Sequence, residues 1–144
     1  MYSNTVTLDK EAIVDECLTE LMPIVVELNL SQLSHGTNAK GGKFRKYRNA
    51  VYARKKSAMN PTPGLGNPDL NLTGKFWKEF KASIMDQSIE WRSEDSKATW
   101  LEEGTSRMQA FEDIYGLIPG SMGILRTEFL ILFNDKLRVK IGLQ

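Results

Sequence analysis

The middle of the chain, from Ser31 to Asn71, is rich in glycine and proline and has no sustained hydrophobic period. Glycine permits turns, and proline can neither donate to a strand ladder nor continue a helix, so we expect most of this stretch to be loop. Only the segment from Asn49 to Met59 has enough good helix formers to predict a short helix. Regular structure must therefore come mainly from residues 1–30 and 72–144, which we expect to form a single domain with the loop between them.

The same stretch carries the charge asymmetry of the chain. Residues 31–68 contain eight basic residues and no acidic one, although the net charge of the whole chain is only +1. Phe44, Tyr47 and Tyr52 are interleaved with these bases, and such a segment can bind phosphates and stack on nucleobases. An arm that docks on an acidic neighbouring subunit needs the same residues. The candidate residues that face a partner or DNA are Lys40, Lys43, Arg45, Lys46, Arg48, Arg54, Lys55 and Lys56.

A long helix is predicted from about Asp9 to Leu30. Its apolar residues step by four and three along one face, which suits either a core or a subunit interface. Acidic residues near its start favour the positive end of the helix dipole. Pro23 removes one backbone donor, so we expect a kink there or two shorter helices. The apolar face consists of Val14, Leu18, Leu21, Val25 and Leu28, and Cys17 is expected to be a small core residue.

From Phe80 the hydrophobic period changes to two, which predicts a β-hairpin that turns at residues 86–88. A helical turn over residues 73–79 is expected to lead into it. Phe76, Phe80 and Ile84 also lie four apart, so a helix is the competing interpretation.

Two further helices are predicted, over residues 96–103 and residues 121–137. Asp95 or Ser96 would cap the first, and Gly104 would end it. The remaining residues, 138–144, would form an edge strand or a tail that completes a neighbour. Together these elements predict an α+β fold in which the two terminal helices pack on a small antiparallel sheet. The core face of the last helix would comprise Met122, Leu125, Phe129, Leu132 and Lys136, widened by Ile124 and Ile131.

Residues with catalytic chemistry are scarce. Cys17 and His35 are the only cysteine and the only histidine, which argues against a disulfide, a cysteine-rich zinc site and a catalytic triad. Neighbouring acids occur at residues 94–95, 102–103 and 112–113, but adjacent carboxylates on a helix point to different faces. We therefore expect no catalytic residue, no metal and no cofactor. The chain also lacks a membrane-spanning apolar run and a signal-peptide pattern, which predicts a cytoplasmic protein.

Several short segments occur in a fixed order that resembles the tail-completion or head-tail joining proteins of tailed bacteriophages. KYRNAVYARKK precedes NLTGKFWKEFKASI, and a hairpin-like SIEWRSED is followed by ATWLEEGTSRM, FEDIYGL and a terminal helix. The resemblance covers roughly residues 45–137. The matching positions are Tyr52, Lys55, Thr73, Gly74, Phe76, Trp100, Glu103, Gly104 and Thr105.

The resemblance implies a non-enzymatic virion protein that forms a ring, hexameric in this family, in the neck or at the top of the tail. Its implied partners are other copies of itself, a connector or stopper, and a tail terminator or tail tube, with possible contact to genomic DNA in the channel. It implies assembly in the host cytoplasm and no membrane partner. Gly74 and Gly104 would relieve turns, Thr73 would cap one, and Trp100 and Phe111 would anchor these turns in the core. The alternative function is a small nucleic-acid-binding protein of a phage or mobile element that uses the basic loop.

Overall fold

The computed structural model describes residues 8–59, 61, 64–71, 73–106 and 109–143. Residues 1–7, on which the signal-peptide prediction partly rests, lie outside them. Two long helices and a two-stranded antiparallel sheet form the framework, which confirms the α+β prediction. The first helix packs against both the last helix and the first strand. The elements are α1 (Lys10–Ser34), α2 (Ala50–Met59), α3 (Lys75–Lys78), β1 (Phe80–Met85), β2 (Ser88–Ser93), α4 (Ala98–Glu103) and α5 (Pro119–Lys140).

Helix α1 is longer than predicted and is not divided at Pro23. The Asp9 carboxylate accepts a hydrogen bond from the backbone N–H of Ala12 at 3.1 Å and caps the first turn. Proline costs the helix one internal hydrogen bond, but the flanking residues Leu21 and Val25 are buried against α5, and this packing keeps the helix continuous. The expectation of two shorter helices is therefore wrong.

The buried stripe of α1 is displaced slightly from the predicted one. Leu21 and Val25 are buried as expected, and Cys17 is fully buried in the core. The other expected positions are only partly buried, because the face is centred on residues spaced four apart. The buried residues are Ile13, Cys17, Leu21, Val25, Asn29, Gln32 and Leu33.

The hairpin is confirmed, with β1 and β2 paired from Phe80 opposite Ser93 to Met85 opposite Ser88. Its two-residue turn places Asp86 at φ 49° and Gln87 at φ 61°. These are the left-handed conformations that a tight hairpin turn requires, and glycine or asparagine adopts them more readily than glutamine does.

The short helices lie close to where the sequence places them. Asn49 accepts a hydrogen bond from the N–H of Tyr52 at 3.0 Å and caps α2. Gly74 begins α3 with φ +77°, and Gly104 ends α4 with φ +76°. Both angles fall in the region that glycine adopts at little cost, so the two motif glycines are required by the backbone conformation.

Helix α5 begins at Pro119 and continues to Lys140, so it occupies part of the segment expected to form an edge strand. That strand prediction is wrong, because ion pairs hold the end of α5 on α1 as helix. Lys136 contacts Glu20 at 2.6 Å, and Lys140 contacts Glu16 at 3.2 Å. The predicted core face of α5 is also too wide. Leu125 is buried, and Phe129, Leu132 and Lys136 are partly buried, but the other three predicted residues are exposed. These exposed residues are Met122, Ile124 and Ile131.

Two hydrophobic clusters form the core. The smaller joins α1 to α5 through Leu21, Val25 and Leu125. The larger lies where the end of α1 meets the base of the hairpin and the loops, and it contains Leu33, Phe44, Leu70, Phe76, Phe80, Ala98, Phe111 and Ile114.

Two buried amides on α1 fix the segment that leads into α5. Asn29 donates to the carbonyl of Ile114 at 3.1 Å and accepts from the N–H of Gly116 at 2.9 Å. Gln32 donates to the carbonyl of Gly116 and accepts from the N–H of Ile118, both at 2.9 Å. Each side chain thus satisfies a backbone donor and a backbone acceptor, as a neighbouring strand would.

Replacing Asn29 by alanine should lower the free energy of unfolding by about 2–4 kcal/mol. The carbonyl of Ile114 and the N–H of Gly116 would both lose their partner in a buried site, and each unsatisfied group costs about 1–3 kcal/mol. Denaturant unfolding measures the change. Asn134→Ala, at an exposed position of α5, is the matched control and should change the stability by less than about 0.5 kcal/mol. Equal effects would contradict the role assigned to Asn29.

Candidate functional site

Three segments of the family resemblance contribute walls to one cavity of about 500 Å³. We call them the three motif segments: KYRNAVYARKK, NLTGKFWKEFKASI and ATWLEEGTSRM. The cavity walls come from the start of α2, from the turn before α3 and from the stretch after α4. This volume lies within the range of about 300–1,000 Å³ that is usual for ligand sites. The lining residues are Tyr47, Arg48, Asn49, Tyr52, Lys56, Leu70, Asn71, Thr73, Gly74, Phe76, Asp95, Lys97, Leu101, Thr105, Ser106, Gln109 and Phe111.

Aromatic rings support the apolar side of the cavity. Tyr47 and Tyr52 meet edge to face, with centroids 4.9 Å apart, and Tyr47 also contacts Phe111 at 6.4 Å. Phe111 packs edge to face against Phe44 at 5.7 Å. Because Phe44 and Phe111 are buried in the larger core cluster, this wall is fixed by the core itself.

A buried ion pair joins α2 to the chain that precedes the Thr73–Gly74 turn. The Lys56 ammonium lies 2.7 Å from the Asp69 carboxylate, and the two side chains are only 5% and 2% exposed. Lys56 also donates to the carbonyl of Asn71. Asp69 accepts from the N–H of Asn71 at 3.0 Å, so the pair holds this turn against α2.

The tyrosines beside this pair are harder to ionise than free tyrosine. Burial raises the pKa of Tyr47, and the nearby Tyr52 and Asp69 raise it further. Burial likewise raises the pKa of Tyr52, followed in importance by the charge of Asp69. On the other side of the core, burial and the Glu102 carboxylate raise the pKa of Tyr115. These phenols therefore remain neutral donors throughout the physiological range.

The mouth of the cavity is cationic. Of the charged side chains that line it, Arg48 and Lys97 are exposed, whereas Lys56 and Asp95 are buried. Asp95 accepts from the backbone N–H of Lys97 at 3.1 Å and lies 4.0 Å from the ammonium of Lys75. An apolar wall with a positive mouth suits a ligand that combines an apolar group with an anionic one.

The structure separates the eight predicted basic residues into different environments. Lys40 contacts Asp113 at 3.0 Å, and Lys43 donates to the carbonyl of His35 at 2.7 Å. Lys56 is buried, so the expectation that it faces a partner or DNA is wrong, because Asp69 and the carbonyl of Asn71 hold it inside. The other five are exposed, and we call them the basic surface: Arg45, Lys46, Arg48, Arg54 and Lys55.

The motif residues also divide into two groups. Thr73, Gly74, Phe76 and Thr105 line the cavity. Phe111 is buried as expected, and Phe76 is buried as well. The Thr73 hydroxyl lies 3.5 Å from the N–H of Lys75, a long capping contact.

Trp100, however, is 49% exposed and does not anchor the turn in the core, so that expectation is wrong. Helix α4 buries Ala98 and partly buries Leu101, and Trp100 lies on its outer side. Glu103 is exposed beside it, while Gly104 ends the helix.

Sequence reasoning missed three contributors to the site. Asp69 is the partner of Lys56, Lys97 is a cation at the cavity mouth, and Gln109 donates to the carbonyl of Arg45 at 2.8 Å. Asp69 could have been suspected, because it is the first acid after the uninterrupted basic stretch. Gln109 lies 64 positions from Arg45 and carries no pattern that would reveal the contact.

The acidic pairs and the histidine take structural positions. Glu94 contacts Lys81 at 2.5 Å, and Asp113 contacts Lys40. A ring nitrogen of His35 lies 2.8 Å from the carbonyl of Ser31 at the end of α1. The described residues hold no group of three or more His, Cys, Asp or Glu side chains that could bind a metal ion. Within the same part of the chain, no helix is long and apolar enough to cross a membrane.

Comparison of the chain with protein families, with curated proteins and with solved structures finds no match in any of the three.

Replacing Lys56 by methionine should lower the free energy of unfolding by about 3–5 kcal/mol, because it leaves the Asp69 carboxylate buried without its counter-ion. Lys55→Met changes the adjacent, exposed lysine and should have an effect within about 0.5 kcal/mol. Denaturant unfolding of the two variants compares them directly. Similar losses at the two positions would show that the buried pair does not hold α2.

Stability should fall as the pH rises above the ordinary tyrosine pKa of about 10. The folded-state pKa values of Tyr47, Tyr52 and Tyr115 are raised, so the unfolded chain releases these protons first and alkaline pH favours unfolding. During an alkaline titration, phenolate absorbance should rise at a higher pH in the native protein than in denaturant, where it should rise near the ordinary tyrosine pKa. Tyr47→Phe should reduce the late phase, and an unchanged late phase would contradict the assignment.

Proposed function

We propose that the chain is a non-enzymatic virion structural protein that joins head and tail in a tailed bacteriophage. It would form a ring in the neck or at the top of the tail, with neighbouring neck and tail proteins as further partners. The motif order gives the proposal its family, and the surface of α5 is the observation that carries it.

Helix α5 has much more apolar surface than its packing uses. Only Ser121 and Leu125 are buried, and although Phe129 and Leu132 are partly buried, several other large apolar side chains of the helix are about half exposed or more. Large exposed apolar groups that share one side of a helix are typical of a surface that another protein covers. Ile124 and Ile131 lie seven residues apart and therefore on the same side of the helix. The exposed residues include Met122, Ile124, Leu130, Ile131, Val139 and Ile141.

The basic surface fits a ring in the path of the genome. Its side chains extend from the same region of the chain, and the described structure places an acidic partner beside Lys40 and Lys56 but leaves these five exposed. Cations of this kind can face DNA in a channel or an acidic surface on the next subunit.

A second candidate function, nucleic-acid binding by the free monomer, is favoured by the same five exposed bases and by the neighbouring aromatic residues Tyr47 and Tyr52. The two candidates differ in what the isolated chain does. A ring subunit assembles, whereas a DNA-binding monomer shows an affinity that falls steeply with salt, in proportion to the phosphates contacted.

Sedimentation and native mass measurement of the purified chain, alone and with virion neck components, test the proposal. The expected result is a ring whose mass is a multiple of 16.3 kDa. The double variant Ile124→Ser/Ile131→Ser should remain folded, because both side chains are exposed, yet associate at least about tenfold more weakly.

Leu65→Ser is the control, since Leu65 is similarly exposed but lies in a loop and not on α5. It should assemble like the parent chain. A chain that stays monomeric under all these conditions and binds DNA with a steep salt dependence would overturn the proposal in favour of the second candidate.

A further inference from the structure

We propose that the β1–β2 turn of one copy inserts into the cavity of the next copy, an interface that rests on the ring proposed above. The turn comprises residues 85–88, and the cavity is the one lined by the three motif segments. The interface is therefore formed by two different surfaces of the same chain.

The chemistry of the turn complements that of the cavity. Met85 is 56% exposed at the end of β1, and the carboxylate of Asp86 follows it. The flexible thioether suits an apolar wall of irregular shape. The carboxylate suits a mouth whose exposed charges are Arg48 and Lys97.

The geometry prevents a turn from filling the cavity of its own chain. The base of the hairpin lies beside the cavity, because Ser93 donates to the carbonyl of Phe76 at 3.2 Å and Phe76 lines the cavity. Each strand has six residues, so the turn lies roughly 17–20 Å away from that base at about 3.3 Å per residue. A β1–β2 turn that fills this cavity would therefore belong to another copy.

The turn is also narrower than a helix. Paired strands lie only about 4.8 Å apart, whereas a helix with its side chains is about 10–12 Å wide. The exposed apolar residues of α5 consequently present too broad a body for a cavity of about 500 Å³. Leu65 lies in a loop whose next residue, Gly66, approaches the side chain of Lys46. The positive charge of Lys46 would oppose the entry of this loop into a cationic mouth.

Strain at the turn agrees with a role in binding. Asp86 and Gln87 both have positive φ, a conformation that non-glycine residues adopt less readily than glycine. Such strain is often retained where a tight turn must present side chains to a partner. A contact between two different patches repeats from copy to copy in one direction and closes into a ring when the rotation allows.

Mixing experiments test the interface, because each chain carries one turn and one cavity. Met85→Ser/Asp86→Asn alters the turn and keeps a residue that tolerates positive φ. Arg48→Glu alters the cavity mouth. Each variant alone should associate at least about tenfold more weakly than the parent. An equimolar mixture should form heterodimers that do not extend, since one intact turn and one intact cavity remain between the two chains.

Crosslinking provides an independent readout. A chain carrying Gln87→Cys and Ser106→Cys, treated with a short bis-maleimide, should give a ladder of covalent multimers that ends at the ring size. Either single variant should give no ladder, because Cys17 is buried. The control for the turn variant is Asp15→Asn, which also neutralises one exposed acid but lies on α1. It should assemble like the parent chain.

The outcomes separate this inference from the ring proposal. Rings that persist in both interface variants, or a double-cysteine chain that gives no ladder within intact rings, would overturn the inference and leave the ring standing. Crosslinks from the Gln87→Cys chain alone would indicate a turn-to-turn contact and would also overturn it. Occupation of the cavity by another neck protein, with no ladder, would also overturn the inference. A parent chain that never assembles would overturn both proposals.

Discussion

The structure depends on the four hydrogen bonds that Asn29 and Gln32 make with residues 114–118. No strand of the described residues pairs with this segment, so without the two amides these four backbone groups would lose their partners in a buried or partly buried site. The same stretch is tied to the basic loop, because the N–H of Ala39 donates to the carbonyl of Asp113 at 2.8 Å. One pair of side chains thereby sets where α5 begins and where the loop after α1 lies.

The Lys56–Asp69 pair performs the corresponding task for the cavity. Removing two charges from water is expensive, and only good geometry with further hydrogen bonds compensates for it, as the contacts of Asn71 with both partners do here. The pair gives α2 one position relative to the Thr73–Gly74 turn. The exposed bases on α2 are consequently presented by a fixed helix even though they belong to a stretch that is mostly loop.

Much of the fold could be predicted from local patterns, because hydrophobic period, glycine and proline act over a few residues. The hairpin, the short helix at Asn49 and the end of α4 at Gly104 follow from such signals. The missed features depend on distant contacts. Asn29 is polar and so falls outside an apolar stripe. Its amide is satisfied by Ile114 and Gly116, which lie 85 and 87 positions further along the chain. For the site, the sequence identified the three motif segments, the first of which lies in the basic stretch, but it contains no sign that they meet around one cavity.

The exposed surface of α5 and the directional pair formed by turn and cavity would serve different purposes in one assembly. Apolar contacts contribute most of the free energy of association but specify register weakly, since they are non-directional. A narrow turn in a cavity, with opposite charges at its mouth, contributes less area but fixes orientation and excludes other pairings. A subunit with only the first surface would associate without a defined orientation, and one with only the second would associate weakly. Their combination, with Met85 and Arg48 at opposite ends of one repeated contact, favours a closed ring over an open cluster.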